Sequence, residues 1–289
     1  MSTATIGRTI IFPRTRRRLA ASSIVYGLCW AIVGIAVFMA IFGPLLAPHD
    51  PNSSQLEFQF VGPFQAKGYL VGFDSQGRDL LSRLIVGART SMFGPALVVV
   101  LSMALGSVIS VLAAWRGGWV DSVLGTVMDI LFAFPGILLA ILTAAVFGAG
   151  LVAPTIALAI AYTPYIARVL RSAAVRERAR DYIAAAEVQG LSSWTICGRH
   201  LIPNLAELVV AQATLVFAWA MVDLAAISFL GLGVQAPTAD WGVMVATGQT
   251  GVLQGYPMES LSAGICIVLV VVAVNLLGER VAARDERRG

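Results

Sequence analysis

An all-α integral membrane protein with six transmembrane helices is the fold class this sequence predicts, and three observations predict it. Apolar residues fill 58% of the 289 positions and charged residues only 12%, about half the charged share of a soluble domain. Mean hydropathy is +0.82. The charges gather in islands between uncharged stretches that exceed the roughly 20 residues needed to cross a bilayer. The basic balance, pI near 9.2, does not point to nucleic acid, because the arginines alternate with apolar segments, as orientation in a membrane requires. Cys29, Cys197 and Cys266 are scattered over two apolar segments and one basic one. That pattern is neither a disulfide framework nor a metal site.

Each element follows in order. Residues 1–21 form a basic N-terminus with Arg8, Arg14, Arg16, Arg17 and Arg18, and a first span is expected over 22–47 inside the uncharged stretch Leu19–Pro48. Thr15–Ala20 has a faint twin-arginine character. The apolar run behind it is longer than the core of about 7–15 residues in a signal peptide, so an uncleaved anchor is expected. Residues 48–89 read as an extracytoplasmic loop containing Lys67 and a short amphipathic helix. Asp74 and Ser75 would cap that helix, Leu80, Leu81, Leu84 and Ile85 would line one face, and Asp79 and Arg83 the other. It is expected to lie on the outer membrane surface.

The five remaining spans fall within 90–280. Thr90–Trp115 is the second uncharged stretch, and Arg116, Gly117 and Gly118 make a tight turn after it. Val120–Ala167 is too long for one span, so it is expected to hold two, separated at Gly148-Ala149-Gly150 with Pro154 beyond. Leu205–Leu230 and Ser260–Gly278 supply the last two, and residues 281–289 form a tail. Threading six spans with both termini in the cytoplasm puts 16 of the 20 Lys and Arg inside, leaving Lys67, Arg78, Arg83 and Arg89 outside. Basic residues favour the cytoplasmic side, so six spans pass where five or seven would strand the tail or the basic loop.

Residues 168–204 form the longest charged island, RVLRSAAVRERARDYIAAAEVQGLSSWTICGRHLIPN, with six arginines. Asp181 is a good N-cap for a helix over Tyr182–Gln189, and Gly190 stands where a left-handed C-terminal residue is wanted. Ser192 and Ser193 offer a second cap for Trp194–His200, and Pro203 is expected to end that helix. Two short helices joined at a glycine make a surface suited to being gripped.

Ala185, Ala186, Gly190, and Ile202-Pro203 beyond them resemble the EAA loop of permease subunits in binding-protein-dependent ATP-binding-cassette (ABC) importers. The ending Arg199-His200-Leu201-Ile202-Pro203-Asn204 is similar to the peptide and nickel branch. Ala184 stands where that family usually has Glu, and Glu187 follows one helical turn on. Further stretches carry the resemblance: Val71–Ser91, Gly117–Ser122 leading to Asp129–Pro135, Ser228–Gln235 with Trp241-Gly242, and Asn275–Gly278. The family's acidic residue before Ser228 would fall at Leu224, whereas here Asp223 is one position early, about 100° round the helix.

The resemblance implies a type I ABC importer permease fold. It also implies a second homologous permease, two ATPase subunits and an extracytoplasmic substrate-binding protein, with peptides as the expected cargo. On it, Tyr182, Ala185, Ala186, Glu187, Gly190, His200, Ile202 and Pro203 are the expected coupling contacts to the ATPase. Asp129, Asp223, Phe229, Gly231 and Gly233 are the expected pathway residues.

Other classes fare worse on the residues. The phosphate-cradling loop needs Gly-x-x-x-x-Gly-Lys-Ser/Thr, and the one lysine, Lys67, precedes Gly68. Any ATP and magnesium are therefore expected in partner chains, with no cofactor in this one. A membrane hydrolase needs Ser and His facing each other in the bilayer, but His49 and His200 lie at or beyond span ends. A secondary, ion-coupled carrier is the remaining rival. Asp129 and Asp223 inside spans are compatible with an ion path or with pairing between helices.

Overall fold

The computed structural model of the chain describes residues 15–285, with side chains over 24–281. Arg8, Arg14, the arginines at 16–18 and most of the basic tail therefore lie outside the described side chains. Five helices are long and apolar enough to cross a membrane, or six if one bent pair counts as a single span.

Helix α1 (Thr15–Leu46) packs against α2 (Leu80–Arg116). The structure corrects one expectation here. Among the described residues no separate amphipathic helix lies on the membrane surface, because Leu80–Arg116 is one uninterrupted helix. Its cap is Asp79, whose carboxylate accepts from Ser82 N at 3.1 Å, not Asp74 or Ser75. The reason is continuity of the buried stripe. Leu80, Leu84, Ala88 and Met92 recur every fourth residue and share one core with α1 and the last span, so the amphipathic turn and the span present the same face. Arg83 is wholly buried instead of lying on a wet side.

The bent pair is α3 (Gly118–Phe132) and α4 (Gly136–Phe147), which meet at 74°. Pro135, with no N–H and a fixed φ, sits at the break. The sequence places a boundary at Gly148–Gly150, and one is there. The bend at Ala133–Pro135 is an additional one inside the expected third span. Helix α5 (Val152–Arg178) then runs well past the expected end of its span, so Arg168–Arg178 are helical extension and not loop. It lies close to α2: a Cβ on Gly106 would meet Ile166 Cγ2 at 2.5 Å.

Helices α6 (Asp181–Val188) and α7 (Ser193–Ile196) follow. The cap position of α6 is Arg180, with Asp181 the first helical residue. Pro203 does not end the next helix either. A π-helical turn over Cys197–Leu201 leads straight into α8 (Ile202–Asn204) and α9 (Ala206–Phe229). The wider turn comes just before a residue that cannot donate to its carbonyl four back, so the chain bends without stopping.

Beyond α9, residues 230–240 are irregular. Helices α10 (Trp241–Thr247) and α11 (Gln249–Leu253) fold back before α12 (Met258–Asp285). The two largest apolar cores among the described residues are these. One joins α2, α4, α5 and α9 around Leu158, Ile166 and Val216. The other joins α1, α2, α9, α10 and α12 around Leu80, Trp241 and Met244. Helix α2 contributes to both.

Candidate functional site

The α6–α7 pair projects from the end of the bundle where α5 and α9 meet, and polar contacts tie it to both. Glu177, near the end of α5 and buried, is the centre. Its Oε1 accepts from Tyr182 Oη at 2.6 Å and from Asn204 Nδ2 at 3.0 Å, and its Oε2 pairs with Arg180 Nε at 3.0 Å. Asn204 also donates to Tyr182 Oη at 2.7 Å. One carboxylate thus joins the last turn of α5, the first turn of α6 and the entry to α9. Partial burial, and then the bond it donates to Glu177, raise the Tyr182 phenol above its ordinary pKa, so it remains a donor.

Arg178 anchors the other side. Its Nη1 donates to Ala114 O at 2.7 Å and to Trp115 O, and its guanidinium lies 4.9 Å from the Trp115 ring centre. Ile183, Ala186 and Ile196 close a small apolar core beneath, against Trp115. Gly190 has φ +78, and Leu191 N returns to Ala186 O at 3.2 Å, a helix stop of the expected left-handed kind. Ser192 caps α7, accepting from Thr195 N at 3.2 Å.

The outward surface of this knob is apolar and open. Val188 is 89% exposed and Trp194 84%, with Leu191 and Ile202 also uncovered. Of the sequence-derived contacts, Ala185, Glu187, Gly190, Ile202 and Pro203 lie on the surface, and Ala184 is exposed with them. Tyr182 is at the rim, with its ring 6.2 Å from that of His200. Ala186 faces inward and helps hold the knob together. The clamp residues Glu177, Arg178 and Asn204 were not singled out from sequence. A signal was present, since Glu177 is the one acid between Arg168 and Arg180.

On the open side of α5, Asp129 on α3 accepts from Arg168 Nη2 at 2.7 Å, and Asp121 is held by both arms of Arg171. Both pairs line a cleft of about 290 Å³ between α2, α3 and α5, with Ser110 and Ser122. Asp223 on α9 accepts from Tyr162 Oη at 2.6 Å. Phe229, Gly231 and Gly233 are not beside these groups but at the far end of α9. Gly231 has φ +75, Phe229 and Gly231 are exposed, and Gly233 packs on Ser228. The adjoining Asp240 caps α10 and accepts from Ser91 Oγ at 2.8 Å, while Trp241 Nε1 donates to Leu84 O at 2.9 Å.

The chain belongs to the family of binding-protein-dependent transport system inner membrane components, which matches residues 106–288. It is 38% identical to the di/tripeptide transport system permease protein DppC of Pseudomonas aeruginosa, over 85% of this chain and 82% of that one. It is 34% identical to the probable D,D-dipeptide transport system permease protein DdpC of Escherichia coli, covering 86% and 82%. The glutathione transport system permease protein GsiD of Pectobacterium atrosepticum is 31% identical, covering 85% and 81%. Among solved structures, the inward-facing MetNI methionine ABC transporter has a chain of similar fold. The TM-score is 0.56 at 18% identity, over 71% of this chain and 97% of that one.

Proposed function

We propose that this chain is one of two permease subunits of an ATP-driven importer of peptides. It would work with a second homologous permease, two ATPase subunits and an extracytoplasmic binding protein, with both of its termini in the cytoplasm. The observation that carries this reading is the α6–α7 knob. It offers an uncovered apolar face around Val188, Leu191 and Trp194, yet Glu177 and Arg178 fix it to α5, α9 and the end of α2. A surface that is open outward and rigidly tied inward can pass a push to the spans.

In this mechanism the ATPase pair closes on ATP and magnesium and displaces the Tyr182–His200 segment. The Glu177 clamp carries that displacement into α5 and α9, which rock the pathway between outward- and inward-facing states. Peptide is the cargo best supported by the relatives above, which are named for di- and tripeptides, D,D-dipeptides and glutathione.

The test is reconstitution in liposomes. The full set of subunits with binding protein is expected to accumulate labelled dipeptide on ATP, and this chain alone is expected to hydrolyse no ATP and move no peptide. Uptake by the chain without ATPase subunits would reverse the reading in favour of an ion-coupled carrier.

A further inference from the structure

Three aromatic rings and a carboxylate converge where α5 meets α9. The Tyr162 and Tyr165 rings lie 6.1 and 5.2 Å from that of Trp219, and Asp223 sits one turn from Trp219 on the same face. Three aspartates are met by side chains along α5. Asp129 has Arg168 and Asp121 has Arg171, but Asp223 has only the Tyr162 phenol among the described residues. A carboxylate inside an apolar helix with no cation beside it among the described residues, one turn from a cluster of three aromatic rings, is a place for an ammonium group.

The same ridge of α5 continues from Tyr162 and Tyr165 to Arg168. Arg168 lies six positions on from Tyr162, about 9 Å along the axis and about 120° round it, with Tyr165 midway. An extended peptide covers about 3.3–3.6 Å per residue, so two or three residues bridge that gap. Arg168 spends Nη2 on Asp129 and stacks 5.0 Å over the Phe132 ring. Its planar fork carries five N–H donors, so a second carboxylate can join without expelling Asp129. Arg168 also borders the cleft described above, which gives the intervening side chain room.

We propose that this face is a binding site for a zwitterionic di- or tripeptide in transit. Its amino terminus would lie at Asp223 among Tyr162, Tyr165 and Trp219, and its carboxylate at Arg168. The inference rests on the importer reading and deepens it by naming how the pathway holds its cargo. The neighbouring Asp121, Asp129 and Arg171 are already in ion pairs, so the arriving ammonium meets an acid held by a phenol alone among the described residues. Trp219, Asp129 and Arg168 stand open in the single chain, and the second permease would close the site from the other side.

The experiment uses the permease pair with its ATPase subunits in lipid nanodiscs without binding protein, so that its selectivity is absent. Saturation-transfer NMR would titrate alanyl-alanine, N-acetyl-alanyl-alanine and alanyl-alaninamide. The native complex is expected to bind the free dipeptide about tenfold more tightly than either blocked form. Asp223→Asn, which still offers Tyr162 an acceptor, should erase the preference for a free amine and keep that for a free carboxylate. Arg168→Gln should do the reverse, and Arg168→Lys should restore part of it. Equal binding of all three probes by the native complex, or variants that weaken all three alike, would overturn the site. ATP-driven uptake with binding protein separates the two readings. Uptake with no charge preference in the nanodiscs sinks the site alone, whereas no uptake of any peptide sinks the importer reading and the site with it.

Discussion

Aspartate–arginine pairs occur at two levels of this bundle, in opposite surroundings. At the start of α2, Asp74 Oδ2 lies 2.6 Å from Arg78 Nε and 3.5 Å from Arg83 Nε, and both Asp74 and Arg83 are 0% exposed. Arg83 Nη1 also donates to Pro51 O at 3.1 Å and Pro237 O at 3.3 Å. Glu259 nearby accepts from Ser75 N at 3.3 Å and from Thr247. Between α3 and α5, by contrast, Asp129 and Arg168 are 69% and 59% exposed. The chemistry is the same and the environment decides its use. Buried charges that join the loop between α1 and α2, α2 itself, the 230–240 segment and α12 act as a fastening. Charges left open in the single chain are available to a partner, to water or to cargo.

The largest effect is expected at the fastening. Arg83→Leu leaves Asp74 to Arg78 alone and takes the donor from two carbonyls in a buried site. Breaking a buried pair from one side costs about 3–5 kcal/mol, so membrane yield and the melting temperature in detergent should both fall sharply. A variant that melts like the native chain would erase the contrast drawn above.

Next in size is Glu177→Ala, which removes the common partner of Tyr182, Arg180 and Asn204. Losing a buried acceptor of this kind costs about 1–3 kcal/mol, confined to the knob. The complex should assemble while ATP hydrolysis stimulated by binding protein drops. Unchanged stimulation would mean the push travels by another route.

Gly190 comes third. Its φ is +78, and a Cβ added there would meet nothing within 4 Å. Ala should therefore cost about 1–2 kcal/mol of local conformational energy, and Asn less, because it tolerates this conformation. If the knob is gripped closely, Gly190→Asn and Gly190→Asp should both lower peptide uptake despite an intact loop. Normal uptake with both would reduce Gly190 to a helix stop.

The smallest effect belongs to Asp121 and Arg171, which are partly exposed on the α3–α5 face. A double-mutant cycle between them, read from detergent melting, should give about 0.2–1 kcal/mol. A coupling of several kcal/mol would move this pair into the same class as Asp74 and Arg83.

Much of this was legible in the residues themselves. Uncharged runs locate the spans because bilayer thickness sets a length that composition alone can meet. Gly190 and Ser192 mark the knob because a left-handed stop and an N-cap are local demands, satisfied within a few residues. What the tertiary structure decided is where charge goes. Arg83 and Asp79 look like the wet side of a surface helix until Pro51, Pro237 and Asp74 close round them, since burial depends on segments far apart in the chain. The same holds for Glu177, whose partners Tyr182 and Asn204 meet only after α6 and α7 fold back, and for Asp223, whose aromatic surroundings come from α5. Pattern along a chain reports what one element presents; the elements facing it determine which of those groups are spent and which remain free to act.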